Sequence, residues 1–104
     1  MTGDKFDDLL ARRLRLIEGT LGAKAAEYAT AADRLHNFKR AAAVTGQHPA
    51  QACVGMMVKH LVSVLDIVDA SAAGRAAAAD LIDEKVGDAI NYLILLEAIL
   101  KEGL

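Results

Sequence analysis

The sequence predicts an all-α fold, a four-to-five-helix antiparallel bundle that is oligomeric. Apolar residues recur at spacings of three and four along the chain, and no segment shows the alternation typical of a strand. Alanine, a strong helix former, supplies much of the 54% hydrophobic content. Short connections between the predicted helices favour antiparallel neighbours. A length of 104 residues indicates one domain over residues 1–104.

The first two helical regions are predicted from caps and periodicity. Asp4 is the expected cap of a first helix that ends between Gly19 and Gly22. Its apolar positions share one face: Phe6, Leu9, Leu10, Leu14 and Ile17. A second region covers about residues 23–44 and is either continuous or broken around residues 28–32.

The last two helices are predicted from glycine and proline signals. Gly46 is a helix stop, and Pro49 suits the first turn of a third helix over about residues 50–69. That helix carries one apolar face: Cys53, Met57, His60, Leu61, Val64 and Val68. Ser71 and Gly74 predict a tight turn before a fourth helix. Its expected core face is formed by Ile82, Val86, Ala89, Leu93, Leu96 and Leu100.

Charge and composition exclude several classes of partner. A net charge of −2 gives no basic field for nucleic acid. A single cysteine, Cys53, makes no internal disulfide and indicates small core packing in a reducing compartment. The charged start lacks the pattern of a signal peptide, and the uncharged run over residues 89–96 is too short to span a bilayer. The sequence therefore predicts a cytoplasmic protein with no membrane partner.

An excess of large aliphatic residues in the last third predicts burial against another copy. One small core does not need so much Leu, Ile and Val. Residues 92–100 carry Glu97 as their only charge, so we expect the subunit interface there, around Ile94 and Leu95.

The fourth helix also carries a polar stripe. Asp80, Glu84, Asp88 and Asn91 fall on one side, because positions three or four apart are neighbours on a helix. One interpretation is a solvated acidic face near the positive end of the helix dipole. The other is a carboxylate cluster for Mg²⁺ or Mn²⁺, which take oxygen ligands.

Phosphate and base contacts have candidates elsewhere in the chain. Lys24, Arg34 and Lys59 supply positive charge, Asn37 supplies an amide, and Tyr28 or Phe38 supplies a ring for stacking, while Glu27 is a further oxygen ligand. The alternative is ordinary: Phe38 belongs to the core and the lysines are solvated. No two of the three histidines are spaced for one metal, and His60 is expected to be a hydrogen-bonded core histidine.

Three stretches together resemble a known family. They are "K..EYA....RL.NFKRAA...G..P" over residues 24–49, "KH..S..D" over residues 59–66 and "EK..D..NYLILL" over residues 84–96. The chain resembles the phage and prophage nucleotide-modification-associated domain family, and through it the all-α NTP pyrophosphohydrolases of the MazG and dimeric dUTPase class.

The resemblance implies a dimeric or tetrameric enzyme that cleaves a nucleoside triphosphate to the monophosphate and pyrophosphate with Mg²⁺. Glu84 and Asp88 match the acids of the family's last helix, and Asn91 with Tyr92 matches the polar and aromatic pair that follows. The acids here are four apart, whereas the MazG pattern has them three apart. The metal set would then be reduced, rebuilt around Glu27 and Asp80, or lost.

The function expected from the sequence is therefore Mg-dependent (d)NTP pyrophosphohydrolysis in the cytoplasm of the host cell, if the chain is phage-encoded. Glu84, Asp88 and Lys59 would be catalytic, with a nucleotide as partner. The alternative is a non-catalytic helical oligomer that binds a nucleotide or a host protein, and a purely structural bundle is a further one.

Overall fold

Four α-helices and no strand make up the described part of the chain, residues 1–22 and 33–104 of a computed structural model. They are α1 (Gly3–Leu21), α2 (His36–Thr45), α3 (Pro49–Ala72) and α4 (Ala79–Glu102). The all-α prediction is confirmed. The predicted second helical region is confirmed in its last part by α2, whereas its residues 23–32 lie outside the described residues.

Local chemistry explains where the helices begin and end. The hydroxyl of Thr2, rather than Asp4, caps α1 by accepting a hydrogen bond from the amide of Lys5. Gly46 ends α2 in the left-handed conformation, with φ of 70°. Pro49 is the first residue of α3, behind a capping box in which His48 Nδ1 accepts from the Ala50 amide at 3.0 Å. Gly74, with φ of 83°, lies in the turn before α4 as expected.

The chain divides into two units, Met1–Arg34 and Leu35–Leu104. In the first unit, α1 has no buried residue, and its predicted apolar positions Phe6, Leu9, Leu10 and Leu14 are exposed. The guanidinium group of Arg34 donates hydrogen bonds to the carbonyls of Leu21 and Gly22. A single domain over residues 1–104 stays a prediction.

The second unit is built on an antiparallel α3–α4 hairpin with α2 packed on α3. Contacts along the hairpin run in opposite directions in the two helices, since Cys53 contacts Tyr92 and His60 contacts Asp88. The buried core cluster consists of Leu35, Phe38, Cys53 and Ile99, with Tyr92, Leu95 and Leu96 packed against it. An ion pair between Lys39 and Glu102 also joins α2 to the end of α4.

The predicted core face of α4 is wrong in part. Of that stripe only Ala89 is buried, whereas Ile82, Leu93 and Leu100 are exposed. The helix buries Ile99 and packs Tyr92 and Leu95 against the core, so it is rotated from the expected orientation. On α3 the prediction holds for Cys53 and Met57, but Leu61 and Val68 are exposed.

Candidate functional site

A small polar cluster lies where α3 and α4 face each other. His60 Nδ1 is 3.3 Å from Asp88 Oδ2, and the His60 ring stacks on Tyr92 with 4.9 Å between centroids. The side chain of His60 is largely buried, as the core interpretation of this residue expected. With Nδ1 held by the carboxylate, Nε2 is the ring nitrogen left for another partner.

The neighbours of Tyr92 keep this cluster close to the core. Phe38 meets the Tyr92 ring edge-on at 6.3 Å, and the Cys53 thiol donates a weak hydrogen bond to the Tyr92 carbonyl at 3.8 Å. Burial, followed by the charges of Cys53 and Asp88, raises the pKa of Tyr92. Burial also raises the pKa of Cys53, so its thiol is poorly suited to act as a nucleophile. We therefore assign Cys53 to packing.

The acid stripe of α4 is dispersed among different partners. Asp80 is exposed and accepts a hydrogen bond from the Leu81 amide, while Glu84 is mostly exposed and lies 3.7 Å from Lys85. Asp88 faces His60. Within residues 1–22 and 33–104, no three His, Cys, Asp or Glu side chains are placed to hold a metal ion. Glu27, the further ligand predicted for this site, lies outside the described residues.

Asn91 is the member of the stripe with an unusual environment. Its Oδ1 atom is buried and has no hydrogen-bond partner among the described residues. A buried amide oxygen without a partner carries a desolvation penalty of about 1–3 kcal/mol. This atom is therefore the point on the stripe where an additional donor or cation would contribute most.

The predicted phosphate and base contacts are not gathered at this cluster. Lys24 and Tyr28 lie outside the described residues, and Arg34 belongs to the first unit. Asn37 and Lys59 are exposed on α2 and α3. Phe38 is buried in the core cluster, and that burial favours the packing role over a role in base stacking.

The larger feature of the second unit is an exposed apolar surface, which we call the seam face. On α3 it comprises Val54, Val58, Leu61, Leu65 and Val68, and on α4 Ile82, Leu93 and Leu100 with the half-buried Val86 and Leu96 and the buried Ala89. The eight exposed side chains keep 39–58% of their surface accessible. Half of the predicted core face of α4, namely Ile82, Leu93 and Leu100, is therefore exposed.

The two stripes of the seam face lie on the same side of the hairpin. An open apolar cleft is lined by Ala50, Gln51 and Val54 of α3 together with Leu96 and Leu100 of α4. Both stripes also advance by alternating steps of three and four residues, which is the heptad spacing of a coiled-coil seam. On α4 this stripe is the core face that the sequence predicts, whereas on α3 it shares only Leu61 and Val68 with the predicted apolar face.

A second cleft lies at the other end of the hairpin, near the turn. It is lined by Asp66, Arg75 and Lys85 among mainly apolar residues such as Ile67 and Leu81. Positive and negative side chains are mixed here, so the cleft has no strong preference for an anion.

Comparisons with known proteins assign neither a family nor a function to this chain. A scan against protein-family models and searches of curated proteins and solved structures found no match to this chain. The resemblance to nucleotide-modification-associated proteins, the cytoplasmic localisation and the absence of a membrane partner stay predictions. Among the described helices, α3 is long and apolar enough to cross a bilayer, a property that core helices of soluble proteins share.

Proposed function

We propose that this chain is a non-catalytic helical interaction module that binds another helical surface through the seam face. The observation that carries the proposal is the pair of heptad-spaced apolar stripes exposed side by side on α3 and α4. Monomeric soluble proteins rarely leave an apolar patch of more than about 300–600 Å² uncovered. A face of this kind is typical of a surface that is buried in a complex.

The spacing of the stripes favours a helical partner over a flat or irregular one. Residues spaced by three and four keep to one side of a helix and insert as knobs into the holes of a facing helix. Neither stripe contains a charged residue between Val54 and Val68 or between Ile82 and Leu100. Burial of the seam face against apolar side chains thus leaves no unpaired charge inside the contact.

The test compares two substitutions at exposed positions, one inside the seam face and one outside it. Leu65→Glu introduces a charge into the seam face, whereas Ile94→Glu introduces the same charge at an exposed site on another side of α4. Analytical ultracentrifugation and far-UV circular dichroism would follow mass and helix content. We expect the wild type and Ile94→Glu to associate, and Leu65→Glu to remain helical and monomeric.

A different pair of results would refute the proposed function. If the wild type is a monomer and Leu65→Glu unfolds it, then another part of the same chain packs on the seam face. The face would then be an internal core surface, and the proposed function would fail.

Asn91 favours a second candidate function, Mg-dependent (d)NTP pyrophosphohydrolysis. Its partnerless buried Oδ1 follows Glu84 and Asp88 on the same stripe. These three residues supply the oxygen atoms that Mg²⁺ prefers. In this candidate Lys59 would contact phosphates, and Asp80 would add a further carboxylate to the ligand set.

Thermal unfolding with Mg²⁺ or Mn²⁺ and a panel of deoxynucleoside triphosphates tests this second candidate, with pyrophosphate release followed in the same samples. A catalytic site predicts metal-dependent stabilisation and product formation. The double substitution Glu84→Ala and Asp88→Ala should abolish both. A Na⁺ control at matched ionic strength removes the effect of charge screening. No response to metal and nucleotide would refute this candidate.

A further inference from the structure

We infer that the partner on the seam face is the same face of a second copy of this chain, so that two α3–α4 hairpins form a four-helix bundle around a two-fold axis. This inference rests on the proposed function, because it names the partner of that surface. It places the subunit contact on α3 and α4 together, whereas the sequence placed it around Ile94 and Leu95.

The area of the seam face agrees with the requirement of a stable dimer. Eight large aliphatic side chains that are each about half exposed present on the order of 700 Å² of apolar surface, close to the ~800 Å² per partner of a standard interface. Two such faces are equal in area, so each can cover the other. A single helix lying between α3 and α4 would touch both stripes but would cover less of their exposed surface than a second hairpin does.

The small buried core of one chain also favours a second copy as the partner on the seam face. Among the described residues eight hydrophobic side chains are buried, and three of these are alanines: Ala42, Ala52 and Ala89. Such a core supplies little burial for a chain of this length. A second copy is present wherever the protein folds, so its seam face offers burial that does not depend on a foreign protein.

The register of the hairpin specifies which residues meet. Contacts within the protomer put His60 beside Asp88, which sets Val58 about level with Ala89, Leu61 with Val86, and Leu65 with Ile82. A two-fold axis parallel to the helices places α3 of one copy over α4 of the other and preserves these levels. Each heptad position of α3 then faces a heptad position of α4 from the other copy.

The chemistry of these pairs suits a bundle interior. Leu61 would meet Val86 and Leu65 would meet Ile82, while the larger Val58 would meet the small Ala89. The contact therefore consists of aliphatic side chains alone, which suits the packing of ridges into grooves between helices. Neighbouring helices are antiparallel throughout, which is the usual arrangement of a four-helix bundle.

The experiment uses the full chain and two readouts. Sedimentation equilibrium gives the mass of the wild type, Leu65→Glu and Ile94→Glu. Oxidation followed by non-reducing electrophoresis tests the register in the double variant Leu61→Cys and Val86→Cys, with Ile94→Cys as a control. The native Cys53 is fully buried, so the wild type serves as the blank. A disulfide requires Cα atoms about 4.4–6.8 Å apart.

The expected result is a wild-type dimer, a helical Leu65→Glu monomer, an unchanged Ile94→Glu dimer, and a covalent dimer from the Leu61→Cys and Val86→Cys variant alone. A wild-type dimer that Leu65→Glu leaves intact would overturn the inference, because the copies would then meet elsewhere. A dimer that is lost in Leu65→Glu but gives no covalent product would overturn the register.

If the wild type is a monomer, binding of the dye ANS shows whether the seam face is exposed, because ANS detects exposed apolar surface. A monomer that binds ANS, with binding lost in Leu65→Glu, would overturn the second copy as partner but leave the proposed function standing. A monomer that does not bind ANS would overturn both, because the seam face would be covered within the chain.

Discussion

The adjacent residues Ile99 and Leu100 provide the sharpest test of which side of α4 is buried in the protomer. Ile99 is 6% exposed and packs in the core cluster with Leu35, Phe38 and Cys53, whereas Leu100 is 55% exposed on the seam face. Replacing either one by alanine removes three carbon atoms and leaves a good helix former in place. The two substitutions therefore differ mainly in the surroundings of the lost atoms.

The expected cost of Ile99→Ala follows from burial. Three buried methyl or methylene groups contribute about 2.4 kcal/mol of transfer free energy, and the cavity raises the total to about 3–4 kcal/mol. In a domain of this size 1 kcal/mol corresponds to roughly 4–8 °C, so the melting temperature should fall by at least about 12 °C. Leu100→Ala loses only the buried half of its contacts within a protomer, which amounts to about 1 kcal/mol.

Protein concentration separates the two roles in the assay. Urea unfolding, monitored by circular dichroism, would be measured below and above the concentration at which the copies associate. The cost of Ile99→Ala should be the same in both regimes, whereas that of Leu100→Ala should increase when the seam face is buried against a partner. Equal costs for the two variants at every concentration, without a change in mass, would refute the assignment of Leu100 to the outside of the protomer.

Three further predictions follow from single residues. The folded pKa of Tyr92 is raised above about 10, so neutral Tyr92 contributes stability that is present below that pH and is lost as pH rises through the folded pKa. In urea titrations between about pH 8 and 11, Tyr92→Phe should reduce this loss of stability. An unchanged loss in the variant would contradict the prediction. The fully buried Cys53 should react with a thiol reagent at least about 100-fold more slowly than in urea, and rapid labelling under native conditions would show that the core cluster opens readily. Gly46→Ala should destabilise the protein by about 1 kcal/mol because φ is 70°, whereas Gly46→Asn should cost less, and equal melting temperatures for both would argue against the left-handed cap.

The parts of the fold that were predictable from the sequence depend on local chemistry. Gly46 ends a helix because its left-handed conformation favours glycine, and Pro49 begins one because the first turn needs no amide donor. Gly74 marks the turn before α4 for the same reason as Gly46. These effects act over a few residues, so they can be assigned without knowledge of the tertiary packing. The cap at Thr2 was not predicted because Asp4, two positions later, is by residue type the more favoured capping residue.

The buried side of α4 was not predictable, because the helix is apolar on more than one side. Periodicity selected the stripe through Leu93 and Leu100, but the protomer buries the neighbouring stripe through Tyr92 and Ile99. The pattern shows that a stripe is suited to burial without showing which surface covers it. Only the contacts of α2 and α3, which are distant in sequence, decide between the two.

The candidate metal site illustrates the same limit for polar residues. Glu84 and Asp88 are four apart and share a side of α4, as helical geometry requires, yet their partners differ. The partner of Asp88 is His60, which lies on α3 and not on the acidic stripe. Sequence spacing predicts neighbours along one helix, whereas a ligand set also depends on the register between helices.

Ile94 and Leu95 show why we propose a subunit contact on the seam face rather than around these two residues. Leu95 packs against the core cluster, so a charge there should unfold the protomer, whereas Ile94 is exposed away from both heptad stripes and should tolerate one. Residues 92–100, with Glu97 as their only charge, therefore combine a core surface with an outer surface, and their composition does not separate the two. A stripe with heptad spacing also continues on α3 from Val54 to Val68, on a side that does not contain the buried Cys53 and Met57. Two stripes with the same period on adjacent helices are most simply explained as one surface that is completed only when a second pair of helices covers it.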